Sequence, residues 1–173
     1  MKNDQSNHEP NRAIMAFRLS VMILQILVGL IAFIYTSSWI LFAIWLAVIV
    51  ALHTVARKNI CGRCEGYGKK CYSFYFGWYT SKLYPYQEGK PVTFGPAILE
   101  GVSIAGANML PFVPLFLHLD AKGVPLLLAA YSVLFLITWL AQFHHACRHC
   151  VEYATEEWKK LCPAYKLGQK LWQ

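Results

Sequence analysis

Hydrophobic residues fall into four long runs along the 173-residue chain, and polar segments separate these runs. The runs extend over Ile14 to Tyr35, Trp39 to Ala56, Pro96 to Leu117 and Val124 to Ala146. Each is close to the roughly 20 residues that an α-helix needs to cross a hydrocarbon layer of about 30 Å. The pattern therefore predicts an all-α integral membrane protein with four membrane-spanning helices.

Two short polar turns join these runs in pairs. The first turn covers residues 36–38 and the second covers residues 120–123. Because such short connections force neighbouring helices to run antiparallel, we expect two helical hairpins that form a four-helix bundle. The expected organisation is a lead-in at residues 1–13, a first hairpin repeat with an interfacial connection at 14–95, and a second hairpin repeat at 96–173.

The placement of basic residues predicts the orientation of the four spans. All but two of the 16 Lys and Arg residues precede the first run, separate the second from the third, or follow the fourth. Positively charged loops near membrane spans stay in the cytoplasm. We therefore expect a multi-pass protein of the inner (cytoplasmic) membrane with both termini in the cytoplasm.

The overall composition agrees with a membrane location. Hydrophobic residues make up 57% of the chain and charged residues 14%, and the mean hydropathy is +0.37. These values are unlike those of an ordinary soluble domain. Retention in the cytoplasm and contact with anionic membrane lipids account for the net charge of +7, so no nucleic-acid partner is expected.

All six cysteines lie in two similar segments, one after the second run and one after the fourth. The first cysteine unit, residues 61–71, reads Cys61-Gly-Arg-Cys64-Glu-Gly-Tyr67-Gly-Lys69-Lys70-Cys71. The second cysteine unit, residues 147–162, begins Cys147-Arg-His-Cys150-Val-Glu-Tyr153 and ends Lys159-Lys160-Leu-Cys162. Each unit has a C-x-x-C-x-x-Y motif, then Lys-Lys, then a third cysteine. This duplication predicts a parallel internal repeat of one hairpin and one cysteine unit.

Cytosolic thiols are kept reduced, so the patterned cysteines indicate metal ligation rather than disulfides. A C-x-x-C turn lets two sulfurs hold one side of a tetrahedral ion or a cluster. Three arrangements fit: one site shared by both C-x-x-C turns, one cluster in each unit with a further ligand, or structural zinc. The six candidate metal ligands are Cys61, Cys64, Cys71, Cys147, Cys150 and Cys162.

The expected cofactor is an iron–sulfur cluster of the [4Fe–4S] type, with zinc as the alternative. Cys162 is followed by Pro163, and a Cys-Pro pair closes many iron–sulfur sequences. Basic side chains beside such a centre would offset the negative charge of its thiolates. The candidate cofactor-binding residues are Tyr67, Lys69, Lys70, His149 and Tyr153.

A haem is a weaker alternative on the same side of the membrane. His53 and His144 could supply axial ligands from two spans. However, the repeat does not copy His53, whose equivalent before the second unit is Trp139. The histidines are therefore interpreted as interfacial residues or as support for the cysteine ligands.

The connection between the hairpins, residues 71–95, is rich in aromatic residues. Together with Lys82 and Lys90, this composition is typical of an interfacial helix on the inner leaflet. A slot for a quinone or a lipid tail beside the cysteines is the alternative. Arg18 and Glu100, which lie near the cytoplasmic ends of their spans, are expected at the interface.

These motifs resemble those of a group of small prokaryotic four-span membrane proteins with paired C-x-x-C…C sequences. The matching residues are Cys61, Cys64, Tyr67, Gly68, Lys69 and Cys71 after the second span, and Cys147, Cys150, Cys162, Pro163 and Ala164 near the C terminus. The resemblance implies the same four-span architecture and a common role for the cysteines. It implies no substrate.

The expected function is electron transfer through an iron–sulfur centre at the cytoplasmic face. No second redox centre of similar strength is present in the sequence, so the protein is interpreted as a component of a larger redox system rather than a complete enzyme. Its expected partners are a membrane or cytoplasmic redox protein and, as an option, a quinone. The alternative is a zinc-stabilised scaffold or assembly protein, or a membrane protein that handles a soft metal ion.

Overall fold

The computed structural model describes residues 11–64, 67–71, 74–88 and 94–147. Seven α-helices lie in these ranges: α1 (Arg12–Tyr35), α2 (Trp39–Ala51), α3 (Arg57–Ile60), α4 (Phe76–Leu83), α5 (Phe94–Met109), α6 (Phe112–Leu117) and α7 (Val124–Ala141). A first π-helical turn (Leu52–Ala56) joins α2 to α3, a 3₁₀ turn (Cys61–Arg63) follows α3, and a second π-helical turn (Gln142–Cys147) continues α7. No strand occurs in the described ranges, so the all-α prediction is confirmed.

Four helical segments are long and apolar enough to cross a membrane: Arg12–Tyr35, Trp39–Arg63, Ile98–Leu117 and Val124–His145. They correspond to the four predicted spans. The second continues past the expected end at Ala56, because the first π-helical turn, α3 and the 3₁₀ turn follow α2 without a break. The choice of membrane and the side on which the termini lie stay predictions.

The two short turns lie at the same end of the bundle. The Tyr35 hydroxyl at the end of α1 donates a hydrogen bond to the backbone carbonyl of Lys122, just before α7. Gly123 follows with φ of 93°, a conformation that glycine adopts without strain, and α7 begins there. The other ends of the spans, including the first cysteine unit, therefore lie at the opposite end of the bundle.

Within the bundle, α1 packs most extensively against α7, and α2 packs most extensively against α5 among the long helices. The second and fourth spans are not among the extensively packed pairs of described helices. Direct packing of these two spans therefore does not bring together the C-x-x-C motifs that follow them, and the meeting of the two motifs stays a prediction. The internal repeat itself stays a prediction.

A proline divides the third span into α5 and α6. Pro111 has no N–H group, so it cannot donate to the carbonyl of Ala107 one turn earlier. The indole nitrogen of Trp45 on α2 donates to that carbonyl instead, at 2.8 Å. In an apolar environment a carbonyl without a donor is costly, and this hydrogen bond from a neighbouring helix removes the cost.

A polar network beside the same break ties three spans together. Gln25 on α1 donates to the side-chain oxygen of Asn108 at 3.0 Å, and the Tyr131 hydroxyl on α7 donates to the backbone carbonyl of Asn108 at 2.9 Å. Tyr131 also belongs to the buried apolar cluster with Ala32, Leu115 and Val124. The network thus fixes the positions of α1, α5 and α7 near the middle of the bundle.

Candidate cysteine centre

The first C-x-x-C motif begins where the second span ends. The 3₁₀ turn starts at Cys61, and the N–H of Cys64 donates to the Cys61 carbonyl at 3.3 Å. Cys64 then has extended backbone angles, so the helix stops there. The motif is therefore a tight turn that places both cysteines at the end of the bundle opposite the two short turns.

Residues 84–87 fold back onto this turn and hold it. The backbone N–H of Gln87 donates to the Gly62 carbonyl at 2.8 Å. The side chain of Gln87 accepts from Nε of Arg63 at 3.0 Å and donates to the Lys58 carbonyl at 3.2 Å. These three hydrogen bonds tie α3 and the C-x-x-C turn to the segment that follows α4.

Tyr67 connects the same two segments. Its hydroxyl donates to the backbone carbonyl of Tyr84 at 2.6 Å, and its ring lies 5.1 Å from the ring of Tyr86. Its backbone N–H donates to the Cys64 carbonyl at 2.9 Å. The structure thus gives Tyr67 a role in holding the loop, while the predicted contact with a cofactor stays a prediction.

Cys71 lies against the beginning of α4. The backbone N–H of Gly77, in the first turn of that helix, donates to Sγ of Cys71 at 3.3 Å. Phe74 and Tyr75 have left-handed backbone angles, with φ of 52° and 57°. Such angles cost about 1–3 kcal/mol for residues other than glycine and persist only where the surroundings hold them. Lys69 and Lys70 are exposed beside Cys71.

Cys61 lies beside a buried ion pair. Nη1 of Arg57 on α3 donates to Oε1 of Glu100 on α5 at 2.5 Å, and the same nitrogen is 3.9 Å from Sγ of Cys61. The guanidinium lies over the Phe76 ring, 4.1 Å from its centroid. Glu100 was expected at the membrane interface, but only 13% of its side chain is exposed. It neutralises Arg57 inside the protein instead.

Arg18 on α1 is also buried, with 2% of its surface exposed. The expectation that its side chain reaches the membrane interface is therefore wrong. Nη2 of Arg18 donates to the side-chain oxygen of Gln142 at 2.5 Å, and the guanidinium lies over the Phe74 ring, 4.6 Å from its centroid. These contacts retain the charge inside the bundle.

Arg18 thereby links the surroundings of the two cysteine units. Phe74 is three residues after Cys71, and Gln142 begins the π-helical turn that ends at Cys147. The backbone of Cys147 is described, but its side chain lies outside the described part. His149, Cys150, Tyr153 and Cys162 also lie outside the described residues, so their predicted roles stay predictions.

The described cysteines do not form a complete metal site by themselves. Among the described side chains, no group of three or more His, Cys, Asp or Glu residues is close enough to hold a metal ion. Cys61, Cys64 and Cys71 are each partly exposed and are not joined in disulfides. The three arrangements, namely one shared site, one cluster in each unit and structural zinc, all stay predictions.

The described histidines contact aromatic rings and helix carbonyls. Nδ1 of His53 is 2.9 Å from the carbonyl of Ile49, and its ring lies edge-on to Phe76 with centroids 5.6 Å apart. The His144 and His145 rings lie 4.5 Å apart. His53 thus packs beside the ring that carries Arg57, and its interpretation as an interfacial or supporting residue stays a prediction.

Sequence reasoning did not predict the contacts of the two arginines. Arg57 was counted only as a charge that sets orientation, although it lies one helical turn before Cys61. Arg18 follows one apolar turn and precedes a long apolar run, a position where a charge must either reach the interface or find partners inside. The positions of the two arginines in the sequence indicated special surroundings. Their partners Glu100, Gln142 and Phe74 could not be identified, because they are distant in sequence.

Comparisons with protein-family models, with curated proteins and with solved structures give no match. The function must therefore be inferred from the chemistry of the cysteine units and their surroundings.

Two of the described sulfurs have a polar group nearby. The backbone N–H of Gly77 donates to Cys71, and the guanidinium of Arg57 lies near Cys61. Donors of this kind stabilise the negative charge of thiolates that ligate a metal or a cluster. These two contacts would favour thiolate ligation by the first cysteine unit.

Proposed function

We propose that this protein is a membrane electron-transfer component whose two cysteine units together hold one iron–sulfur centre, of the [4Fe–4S] type. The centre would lie at the end of the bundle opposite the contact between Tyr35 and Lys122, which we assign to the cytoplasmic face of the inner membrane. The residues that would hold it are Cys61, Cys64, Cys147 and Cys150, with Cys71 and Cys162 as further ligands.

The observation that carries this proposal is the position of Arg18. Its guanidinium contacts Phe74, close to Cys71, and Gln142, at the start of the turn that leads to Cys147. One buried side chain thus holds parts of both halves together at the end of the bundle where the first unit lies. This arrangement supports a centre to which both units contribute.

The cluster would supply one-electron transfer when bound, and the chain would control its charge and access. Gly77 and Arg57 direct an N–H group and a positive charge towards sulfur atoms. The exposed Lys69 and Lys70 would present positive charge to an acidic redox protein. A membrane quinone is the other class of electron partner that this position allows.

A zinc-stabilised scaffold is the second candidate. It is favoured by the hydrogen bonds of Gln87 and Tyr67, which hold the first C-x-x-C turn to a neighbouring segment as a structural metal site requires. Zinc has no redox chemistry and no colour from the metal, so the two candidates differ in simple measurements.

Anaerobic purification of the full chain distinguishes them. An iron–sulfur protein should contain iron and acid-labile sulfide and show broad visible absorption that bleaches on reduction. Separate Cys64→Ser and Cys150→Ser variants should each lose all of the iron if one site is shared. The matched control is Lys122→Ala, at the opposite end of the bundle. Colourless protein with stoichiometric zinc would support the scaffold instead.

A further inference from the structure

The guanidinium of Arg57 contacts two partners and lies next to Cys61, the first ligand of the proposed centre. Nη1 of Arg57 is 2.5 Å from Oε1 of Glu100 and 3.9 Å from Sγ of Cys61. Nη1 carries two N–H groups, so this nitrogen can reach both partners at once. The guanidinium thus contacts a carboxylate and a sulfur together.

The surroundings leave this charge poorly screened. Arg57 is 5% exposed, its guanidinium lies over the Phe76 ring, and among the described residues its Nε has no hydrogen-bond partner. Charges interact more strongly in such an apolar setting than in water.

An ion pair that only joined two helices would not need this position. Buried ion pairs are on average poor sources of stability, because the charges lose their hydration. Ionisable residues inside membrane-spanning segments commonly mark functional sites. The position of Arg57 four residues before Cys61, on the same side of the second span, connects the pair directly to the candidate ligand.

We propose that Arg57 and Glu100 form a charge-setting pair that fixes the reduction potential of the centre held by Cys61. This inference rests on the proposed iron–sulfur function. Arg57 stabilises the additional negative charge of the reduced centre, and Glu100 limits this effect by holding part of the guanidinium. Both are positioning residues, since neither is itself a ligand. Charge near an iron–sulfur cluster is one of the established determinants of its reduction potential.

Replacing Arg57 and replacing Glu100 should shift the reduction potential in opposite directions. Arg57→Met removes a positive charge beside the sulfur and should lower the reduction potential. Glu100→Gln removes a negative charge and releases Arg57 towards Cys61, so it should raise the reduction potential. Arg57→Lys keeps the charge and should restore most of the potential. If the ion pair were purely structural, both variants would lose the same stability. Their reduction potentials would not shift in opposite directions.

The test is a redox titration of the purified holoprotein, followed by electron paramagnetic resonance of the reduced cluster. At a fixed ambient potential near the wild-type midpoint, each variant should change the ratio of reduced to oxidised cluster about tenfold, equivalent to about 59 mV for a one-electron couple. The matched control is Lys58→Met, which removes an exposed positive charge from the next residue and should leave the ratio unchanged because water screens it.

The outcomes separate this inference from the proposed function. Equal midpoints in wild type and Glu100→Gln, or shifts of the same sign in Arg57→Met and Glu100→Gln, would overturn the charge-setting role while leaving the cluster in place. If Arg57→Met does not accumulate, Glu100→Gln and Arg57→Lys still decide the question. Wild-type protein without iron and sulfide would overturn the proposed function, and the inference with it.

Discussion

The hydroxyl of Tyr35 donates a hydrogen bond to the backbone carbonyl of Lys122, and this contact joins the end of α1 to the segment just before α7. The two short turns, residues 36–38 and 120–123, therefore lie at the same end of the molecule. If the basic segments stay in the cytoplasm, both turns must face the opposite side of the membrane. The first cysteine unit then lies on the cytoplasmic side, where thiols are kept reduced.

Labelling of cysteines in intact cells tests this topology. Ser37→Cys and Lys122→Cys, both at exposed positions, should each react with a membrane-impermeant maleimide from outside the cytoplasmic membrane. The wild type is the matched control and should remain unlabelled, since its own cysteines are expected inside. Labelling of the wild type, without added labelling of either variant, would reverse the orientation and would reopen the possibility of disulfides.

Trp45→Phe should destabilise the bundle by about 1–3 kcal/mol, because the Ala107 carbonyl would lose its donor in an apolar environment. The measurement is thermal or denaturant unfolding of the purified protein in detergent. Trp39→Phe is the matched control, because Trp39 is 59% exposed and should change stability little. Equal effects of the two substitutions would show that Trp45 contributes through its size and not through the hydrogen bond.

Arg18→Met should weaken the affinity for the bound metal by about 10–100-fold, the range seen when residues that support metal ligands are replaced. The variant loses the contact with Gln142 and the charge over Phe74. Metal content after dialysis against a graded series of chelator concentrations measures the change. Arg12→Met, an exposed arginine on the same helix, should retain wild-type affinity.

An unchanged affinity in Arg18→Met would argue against a site that depends on both halves. A folding defect can be separated from this outcome by comparing the helical content and the unfolding temperature of the two arginine variants. Loss of metal with wild-type helical content would support the role of Arg18 in holding the units together.

Tyr67→Phe should destabilise the first cysteine unit by about 1 kcal/mol, because the Tyr84 carbonyl loses the hydroxyl that donates to it. Limited proteolysis between residues 61 and 88 should become faster, while the iron content should stay the same. Tyr79→Phe is the matched control, since Tyr79 is 41% exposed. Loss of iron with unchanged proteolysis would instead assign Tyr67 to the cofactor, as the sequence predicted.

The four spans could be predicted because their hydrophobic length is a local property of the sequence. The end of the second span could not, because the π-helical turn at Leu52–Ala56 has no marker such as proline or glycine. Arg18 and Glu100 were placed at the interface because isolated charges usually extend to water. Their actual partners come from other helices, and only the packing of those helices brings them together.

The candidate site was predictable in its residue types and in part of its location. Cysteine spacing identified the first unit, and the structure places its C-x-x-C turn at the end of the second span. The sequence does not reveal the hydrogen bond from Gly77 to Cys71, nor the left-handed angles of Phe74 and Tyr75 that lie between these residues. Whether the second unit completes the site depends on residues 148–162, which lie outside the described part.

The π-helical turn before Cys61 accommodates one extra residue in the second span. A π-helical turn holds one more residue than the α-helical turn it replaces, and such turns often occur at functional sites. Removing one residue from Leu52–Ala56 should therefore allow a regular α-helix to form. Because the α-helical turn covers nearly the same rotation with one residue fewer, Arg57 and Cys61 should keep their direction towards Glu100. In a regular α-helix the same deletion would rotate all following residues by about 100° around the helix axis.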